Sequence, residues 1–194
     1  MEYDIWTPKA NQSFLQARIQ SREFGHPYVG TEHVLLGVDR VSTDGVVRSI
    51  LDEYFPERDL VPRVMDAVKM NPKTNIIGNL PFTPRSKKVL QLARDYSQSL
   101  RITHTGTEHI LYGLLQEKEG VAAQVLTGNS LERRDEMMRM IDDAHAPVIY
   151  HNQDTEYVHD LSSIKFAIGL DLGDIDRLAR KRGYMIVPIE GQKD

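Results

Sequence analysis

The feature that most constrains this sequence is an internal duplication. The tripeptide Thr-Pro-Lys at residues 7–9 recurs as Thr-Pro-Arg at 83–85, and Gly-Thr-Glu-His at 30–33 recurs at 106–109, so both motifs repeat after 76 residues without a gap. Between them, Ala-Arg at 17–18 recurs at 93–94. A repeat of this kind cannot bury its apolar face alone, and neighbouring copies pack together. We therefore expect two repeats, at residues 1–70 and 82–145, packed as one domain over 1–145.

Each copy has the periodicity of helices. In the second copy, one apolar face at helical spacing is formed by Val89, Leu92, Ala93, Tyr96 and Leu100. Threonine followed by proline is a helix-start signal, and Gly-Thr-Glu-His opens a second helix in each copy. A third helix is expected after Gly45 and after Gly120, and a fourth over 57–70 and 130–144. The predicted fold class is all-α, with two pseudo-symmetric four-helix repeats packed as one domain.

The repeat pattern stops near residue 146, and residues 146–194 are expected to form a C-terminal appendage of unknown role. Residues 70–81 contain breaker signals and are expected to link the two repeats. Residues 151–157 are polar and predict a loop, 174–182 predict a short helix closed by Gly183, and 184–189 predict a short strand or an extended segment.

Composition narrows the class of function. The formal net charge is −4 at pH 7, which argues against general affinity for nucleic acids. The sequence has no cysteine, so disulfides and thiolate metal sites are excluded. The amino terminus is acidic and lacks the apolar stretch of a signal peptide, and no apolar run approaches the roughly 20 residues that span a bilayer. The expectation is a cytoplasmic protein with no membrane partner and no cofactor.

Three segments of the second copy resemble a known family: residues 82–90, 106–115 and 119–126, with 24–26 and 30–37 matching in the first copy. They are similar to the Clp N-terminal repeat, which occurs twice at the front of ClpC-type and ClpA-type unfoldases, and the resemblance covers about residues 5–145. It departs from the family at Trp6, at 11–13 and at 101–102. No Gly-x-x-x-x-Gly-Lys-[Ser/Thr] phosphate loop occurs, so the resemblance is to a recognition domain without ATPase modules.

The resemblance implies what the domain binds. In the family, this domain receives substrates and adaptor proteins, and in the ClpC branch it binds phosphoarginine. By resemblance, Thr7 and Glu32 would serve one pocket, and Thr83 and Glu108 a second. The chemistry fits, because a helix N-terminus favours the phosphate and a carboxylate accepts the guanidinium N–H groups.

Simpler interpretations compete with this one. A threonine before proline is commonly only an N-cap, and a glutamate in the first turn only a favourable partner of the helix dipole. His33 and His109 follow the glutamates but lack the second histidine four residues on that a helical zinc site needs, so we expect structural roles. Near the tail, a metal site is not expected, because the spacing of the potential ligands is irregular: His145, His151, His159, Asp154 and Asp160. No nucleophile elbow is present, and no enzyme activity is expected.

The sequence thus favours a non-enzymatic protein-binding module of the Clp proteolysis system, acting as an adaptor, a decoy or a regulator of an unfoldase, with Clp substrates, adaptors or an unfoldase as partners. The alternative is a DNA-associated regulator. It depends on residues 162–170 and 172–182, which could form the two short helices of a helix-turn-helix, the second of them basic. A basic helix face exposed to solvent is the simpler interpretation. The basic side chains are Arg177, Arg180, Lys181 and Arg182.

Overall fold

The structure, a computed structural model, describes residues 5–57, 60–70, 78–145, 148–152 and 155–159. The described residues form eight helices: α1 (Pro8–Glu23), α2 (Thr31–Val41), α3 (Gly45–Tyr54), α4 (Leu60–Ala67), α5 (Pro84–Ser99), α6 (Thr107–Gln116), α7 (Val121–Thr127) and α8 (Leu131–His145). The chain divides into two compact units, one extending to Ala144 and the other beginning at His145. The prediction of an all-α fold with four helices per repeat is confirmed for the first unit. None of the helices described is long and apolar enough to cross a membrane.

The second unit contains an antiparallel hairpin of β1 (Val148–Asn152) and β2 (Thr155–His159). Val148 lies opposite His159, and Asn152 opposite Thr155. The predicted loop over 151–157 is therefore wrong, because these residues include the end of β1 and the start of β2. The predicted helix at 174–182, the predicted strand at 184–189 and the helix-turn-helix interpretation lie outside the described residues.

Both Thr-Pro motifs start helices as the sequence predicts. The hydroxyl of Thr7 accepts the backbone N–H of Ala10, and that of Thr83 accepts the N–H of Ser86, each at 3.1 Å. A proline occupies the first turn in both helices, where no N–H is needed. The threonines are thus N-caps, and their hydroxyls fix where α1 and α5 begin.

Within each repeat, the first two helices cross very closely. A Cβ on Gly37 would lie 2.9 Å from the backbone nitrogen of Ala17, and a Cβ on Gly113 would lie 2.5 Å from the carbonyl oxygen of Val89. Contacts this short leave no room for a side chain on either glycine. The crossing explains why glycine recurs in α2 and α6, and why small Ala17 and Ala93 recur in the facing helices.

The two repeats are joined crosswise. The N–H of Thr83 donates to the carbonyl of Val29 at 3.0 Å, and the N–H of Thr7 donates to the carbonyl of Thr105 at 3.0 Å. Val29 immediately precedes the N-cap of α2, and Thr105 immediately precedes that of α6. The first helix of each repeat therefore starts beside the second helix of the other repeat.

Side chains reinforce this crosswise arrangement. The guanidinium of Arg18 lies 5.0 Å from the ring centroid of Phe82, and that of Arg94 lies 5.1 Å from the ring centroid of Trp6. Each pair joins the two repeats through a cation–π contact. Below them, one continuous core contains buried residues of both copies, the largest being Phe55, Leu35, Ile50, Leu51, Leu60, Ile110, Leu111, Leu114, Leu115, Leu126, Met137 and Ile141.

Candidate functional site

The histidine of the Gly-Thr-Glu-His motif caps the helix that the motif opens. The N–H of Gly30 donates to Nδ1 of His33 at 2.9 Å, and the N–H of Gly106 donates to Nδ1 of His109 at the same distance. In this position the imidazole replaces the Glu or Gln that commonly accepts the N-cap N–H from the third helical residue. The expected structural role of both histidines is thus supported by the same contact in each copy.

The glycine of the motif makes room for the glutamate. A Cβ on Gly30 would lie 2.5 Å from the carboxylate carbon of Glu32, and a Cβ on Gly106 would lie 2.6 Å from that of Glu108. In both copies the glutamate side chain folds back over the N-cap residue. The carboxylate is therefore held at the N-terminus of its helix, where the positive end of the dipole stabilises a negative charge.

Around Glu32, two histidines form a hydrogen-bonded chain. Because Nδ1 of His33 accepts the Gly30 N–H, its proton lies on Nε2 and is donated to Nδ1 of His26 at 3.0 Å; Nε2 of His26 donates to the carbonyl of Lys69 at 2.7 Å. Burial, with a smaller contribution from His26, lowers the pKa of His33 to about 3. The ligand atoms of these two histidines and Glu32 lie within 4.8 Å of one another. A metal ion there would have to replace these hydrogen bonds, so the geometry favours a structural chain.

A cavity of about 550 Å³ opens where the N-terminal ends of α2, α5 and α7 meet. We call it the Glu32 cavity. The lining residues that matter here are Thr31, Glu32, Thr83, Arg85, Glu119 and Gly120. Helix N-termini present backbone N–H groups and favour anions, whereas the carboxylates favour cations. The cavity therefore suits a ligand that carries both charges.

The cavity combines residues of different repeats, because it is lined by Thr83 and Glu32. Thr7, in contrast, is hydrogen-bonded to Thr105, next to the start of the helix that carries Glu108. The expected pairs are Thr7 with Glu32 and Thr83 with Glu108, whereas the structure brings Thr83 and Glu32 together in this cavity. The crosswise joining of the repeats pairs Thr83 with Glu32 and brings Thr7 to the helix start that carries Glu108.

The two glutamates differ in their surroundings. Glu32 is almost completely buried, whereas the Glu108 side chain is 27% exposed. Burial raises the pKa of the Glu32 carboxyl, and a hydrogen bond to its own backbone N–H, the nearby His26 and the Thr31 hydroxyl only partly offset this effect. A cation placed against Glu32 would lower this pKa and favour the charged form, so the buried position favours a cationic ligand group.

Sequence reasoning missed an ion-pair cluster at the cavity. Nη2 of Arg85 lies 3.1 Å from the carboxylate of Glu119, and Nε of Arg85 lies 3.6 Å from that of Glu117. At the corresponding place in the first repeat, Lys9 pairs with Asp44. The duplication itself carried the signal, since a basic residue follows each Thr-Pro and an acidic residue precedes each glycine that opens the third helix.

The sequence matches the family described as "Clp repeat (R) N-terminal domain" over residues 5–129. It is 34% identical over 142 residues to an ATP-dependent Clp protease ATP-binding subunit ClpA homolog of Cyanidium caldarium. That alignment covers 72% of this chain and 16% of the relative. It is also 34% identical over 125 residues to the ClpC subunit of Staphylococcus aureus strain USA300, covering 64% and 15%. The chain spans about a sixth of the length of these relatives.

Solved structures share the fold. The N-terminal domain of the chaperone ClpD from Arabidopsis thaliana aligns with a TM-score of 0.55 at 19% identity, covering 74% of this chain and 96% of that one. The Hsp104 N-terminal domain from Candida albicans aligns with a TM-score of 0.57 at 15% identity, covering 70% and 88%. At these identities the likeness concerns the fold alone.

Proposed function

Because the chain belongs to the Clp repeat N-terminal domain family, we propose that it is a non-enzymatic module that binds substrates or adaptor proteins of the Clp proteolysis system. It would act as an adaptor, a decoy or a regulator of an unfoldase. The observation that carries the proposal is the Glu32 cavity, where helix N-termini and carboxylates line one space. Such a site would suit a charged feature displayed on another protein.

The ligand that best fits this chemistry is a phosphorylated arginine side chain. Its phosphate would lie against the N-termini of α2 and α5 near Thr83, where backbone N–H groups and the dipoles favour an anion. Its guanidinium would donate to Glu32 in a charge-assisted pair. The second site would use Thr7 and Glu108 in the same way, since the crosswise joining relates the two places.

Calorimetric titration of the chain with free phosphoarginine tests this proposal. We expect saturable binding by the native chain and its loss when Glu32→Ala and Glu108→Ala are combined. Thermal unfolding followed by circular dichroism controls for misfolding of the double variant. The proposal fails if the native chain gives no binding heat, or if a folded double variant binds with unchanged affinity.

The pairing across the repeats can be tested by stoichiometry. In the Glu32→Ala, Thr83→Val variant, both substitutions affect the Glu32 cavity, so the site of Thr7 and Glu108 should remain. In the Glu32→Ala, Thr7→Val variant, each site carries one substitution, so binding at both sites should weaken. The two double variants are matched, because each loses one carboxylate and one N-cap hydroxyl, the latter costing about 1 kcal/mol of stability. Equal residual stoichiometry in the two variants would contradict the crossed pairing.

Capture experiments address the protein partner. The immobilised native chain is offered arginine-phosphorylated proteins together with dephosphorylated forms of the same proteins. It should retain the phosphorylated forms. The Glu32→Ala, Glu108→Ala chain, once circular dichroism has shown it to be folded, is the matched control that lacks the two carboxylates. If retention depends neither on phosphorylation nor on the two glutamates, the chain binds proteins without recognising phosphoarginine, and the proposed ligand is wrong.

A further inference from the structure

Arg85 occupies an unusual place in the Glu32 cavity. It is the second residue of α5, it lines the cavity, and its side chain is 57% exposed. Its guanidinium is held between two carboxylates, Glu119 at the surface and Glu117 inside. A guanidinium fixed on one side by carboxylates keeps N–H donors for a further oxyanion, and its planar fork suits the oxygens of a phosphate.

Glu117 is the less ordinary partner of the two. Its side chain is only 2% exposed, and its Oε2 atom has no hydrogen-bond partner among the described residues. A Cβ on Gly120 would lie 2.6 Å from that oxygen, and Gly120 lines the cavity. The unpartnered oxygen thus lies directly behind the cavity wall. A buried carboxylate is costly unless a cation compensates it, and among the described residues Arg85 is the cation paired with Glu117.

The position of the first repeat that corresponds to Glu117 carries no carboxylate. Glu117 caps the C-terminus of α6, and the residue that caps the C-terminus of α2 is Ser42. In that repeat the basic residue is Lys9, whose partner Asp44 is exposed. Lysine is a point charge on a flexible stem, whereas arginine binds phosphate in a fixed, bidentate geometry. The arrangement around Arg85 is therefore specific to the Glu32 cavity.

We propose that Arg85, positioned by Glu117 and Glu119, makes the Glu32 cavity select a phosphorylated guanidinium over unmodified arginine. This inference rests on the proposed function. Without the Arg85 cation, three carboxylates would dominate in and behind the cavity wall: Glu32, Glu117 and Glu119. Such a site attracts a bare guanidinium and repels a phosphate. With Arg85 in place, the phosphate gains a bidentate donor and the ligand guanidinium still finds Glu32.

The test compares two ligands, free phosphoarginine and free arginine, by calorimetry. Glu108→Ala is present throughout, so that the Glu32 cavity is the site observed. We expect this parent chain to prefer phosphoarginine. Arg85→Ala should weaken phosphoarginine binding about tenfold to a hundredfold while arginine binding is kept or strengthened, because a charge-assisted hydrogen bond to phosphate is lost. Arg85→Lys should keep part of the preference.

A control variant and a positioning variant sharpen the result. Lys88→Ala removes a positive charge from an exposed position of α5, outside the cavity lining, and should leave the preference unchanged. Glu117→Gln should reduce the preference when Arg85 is present and have no effect on it in the Arg85→Ala chain, since Glu117 acts through Arg85. An equal effect of Glu117→Gln in both chains would contradict the positioning role.

The outcomes separate the two proposals. If the parent chain binds neither ligand, the proposed function and this inference both fall. If it binds phosphoarginine and a folded Arg85→Ala variant keeps the same preference, only the role of Arg85 is overturned. A variant that loses both ligands in equal measure also overturns it, because selectivity would then not depend on Arg85.

Discussion

His33 links stability to pH, and the direction follows from its pKa. The folded value of about 3 lies below the ordinary value of 6.5, so between these values the unfolded chain takes up a proton that the folded chain does not. The free energy of unfolding should therefore fall as the pH is lowered through this range, by up to about 1.4 kcal/mol per pH unit from this residue. Urea unfolding at several pH values between 4.5 and 7 measures the slope.

His33→Gln is the matched variant, because glutamine can still accept the Gly30 N–H. It should flatten the dependence. Glu32 has the opposite sign: its pKa is raised, so the stability that it contributes is lost as the pH rises through its folded pKa. The difference between native and variant curves isolates the histidine. Parallel slopes in the two proteins would refute the assignment.

The roles of some individual residues could be predicted from the sequence, and those of others could not. The capping of α1 and α5 by Thr7 and Thr83 is a local signal, and it was confirmed. The contact of Arg85 with Glu117 was not predictable, because Glu117 has no acidic counterpart in the first copy and its burial depends on packing. Local signals fix a cap, but only tertiary structure decides which side chains meet across a cavity.

Substitution of Gly113 tests the close crossing of α5 and α6. In an average helix interior, replacing glycine by alanine stabilises the protein by about 0.5–1 kcal/mol. Here the new methyl group would overlap the carbonyl oxygen of Val89, so Gly113→Ala should instead destabilise by about 1–3 kcal/mol. Chemical denaturation gives the value, and Gln98→Ala, at an exposed position of α5, is the control. A stabilised Gly113→Ala chain would show that the helices have room to separate.

The order of the helices was predictable and the hairpin was not. Helical spacing and Thr-Pro starts located the elements of both repeats because those signals are duplicated. In β1 and β2, the β-branched and aromatic residues at 148–150 and 157–158 were the available strand signal. Polar residues between them outweighed that signal and favoured a loop. A single hairpin outside the duplication offers no second copy against which to check the interpretation.

The whole first unit should unfold as one body, because its repeats share a core and cross contacts. Arg18→Ala and Arg94→Ala should each lower the free energy of unfolding by about 0.5–2 kcal/mol through loss of a cation–π contact, and approximately additively. Trp6, the one tryptophan in the sequence, contacts Arg94 and reports on that contact by fluorescence. Its transition in urea should coincide with that seen by circular dichroism. An earlier fluorescence transition would mean that the repeats separate before they unfold.

The crosswise cavity has a further consequence, for how occupancy and folding depend on each other. In the proposed binding mode, a ligand between Thr83 and Glu32 would touch both copies at once, so its binding would require the two copies to be packed together. Mass action then stabilises the docked form, by about 2.7 kcal/mol at a ligand concentration of 100 Kd. If the second site is built in the same crosswise way, each repeat supplies part of both sites. Unfolding of either repeat would then abolish both sites, and the duplication would provide no independent second site.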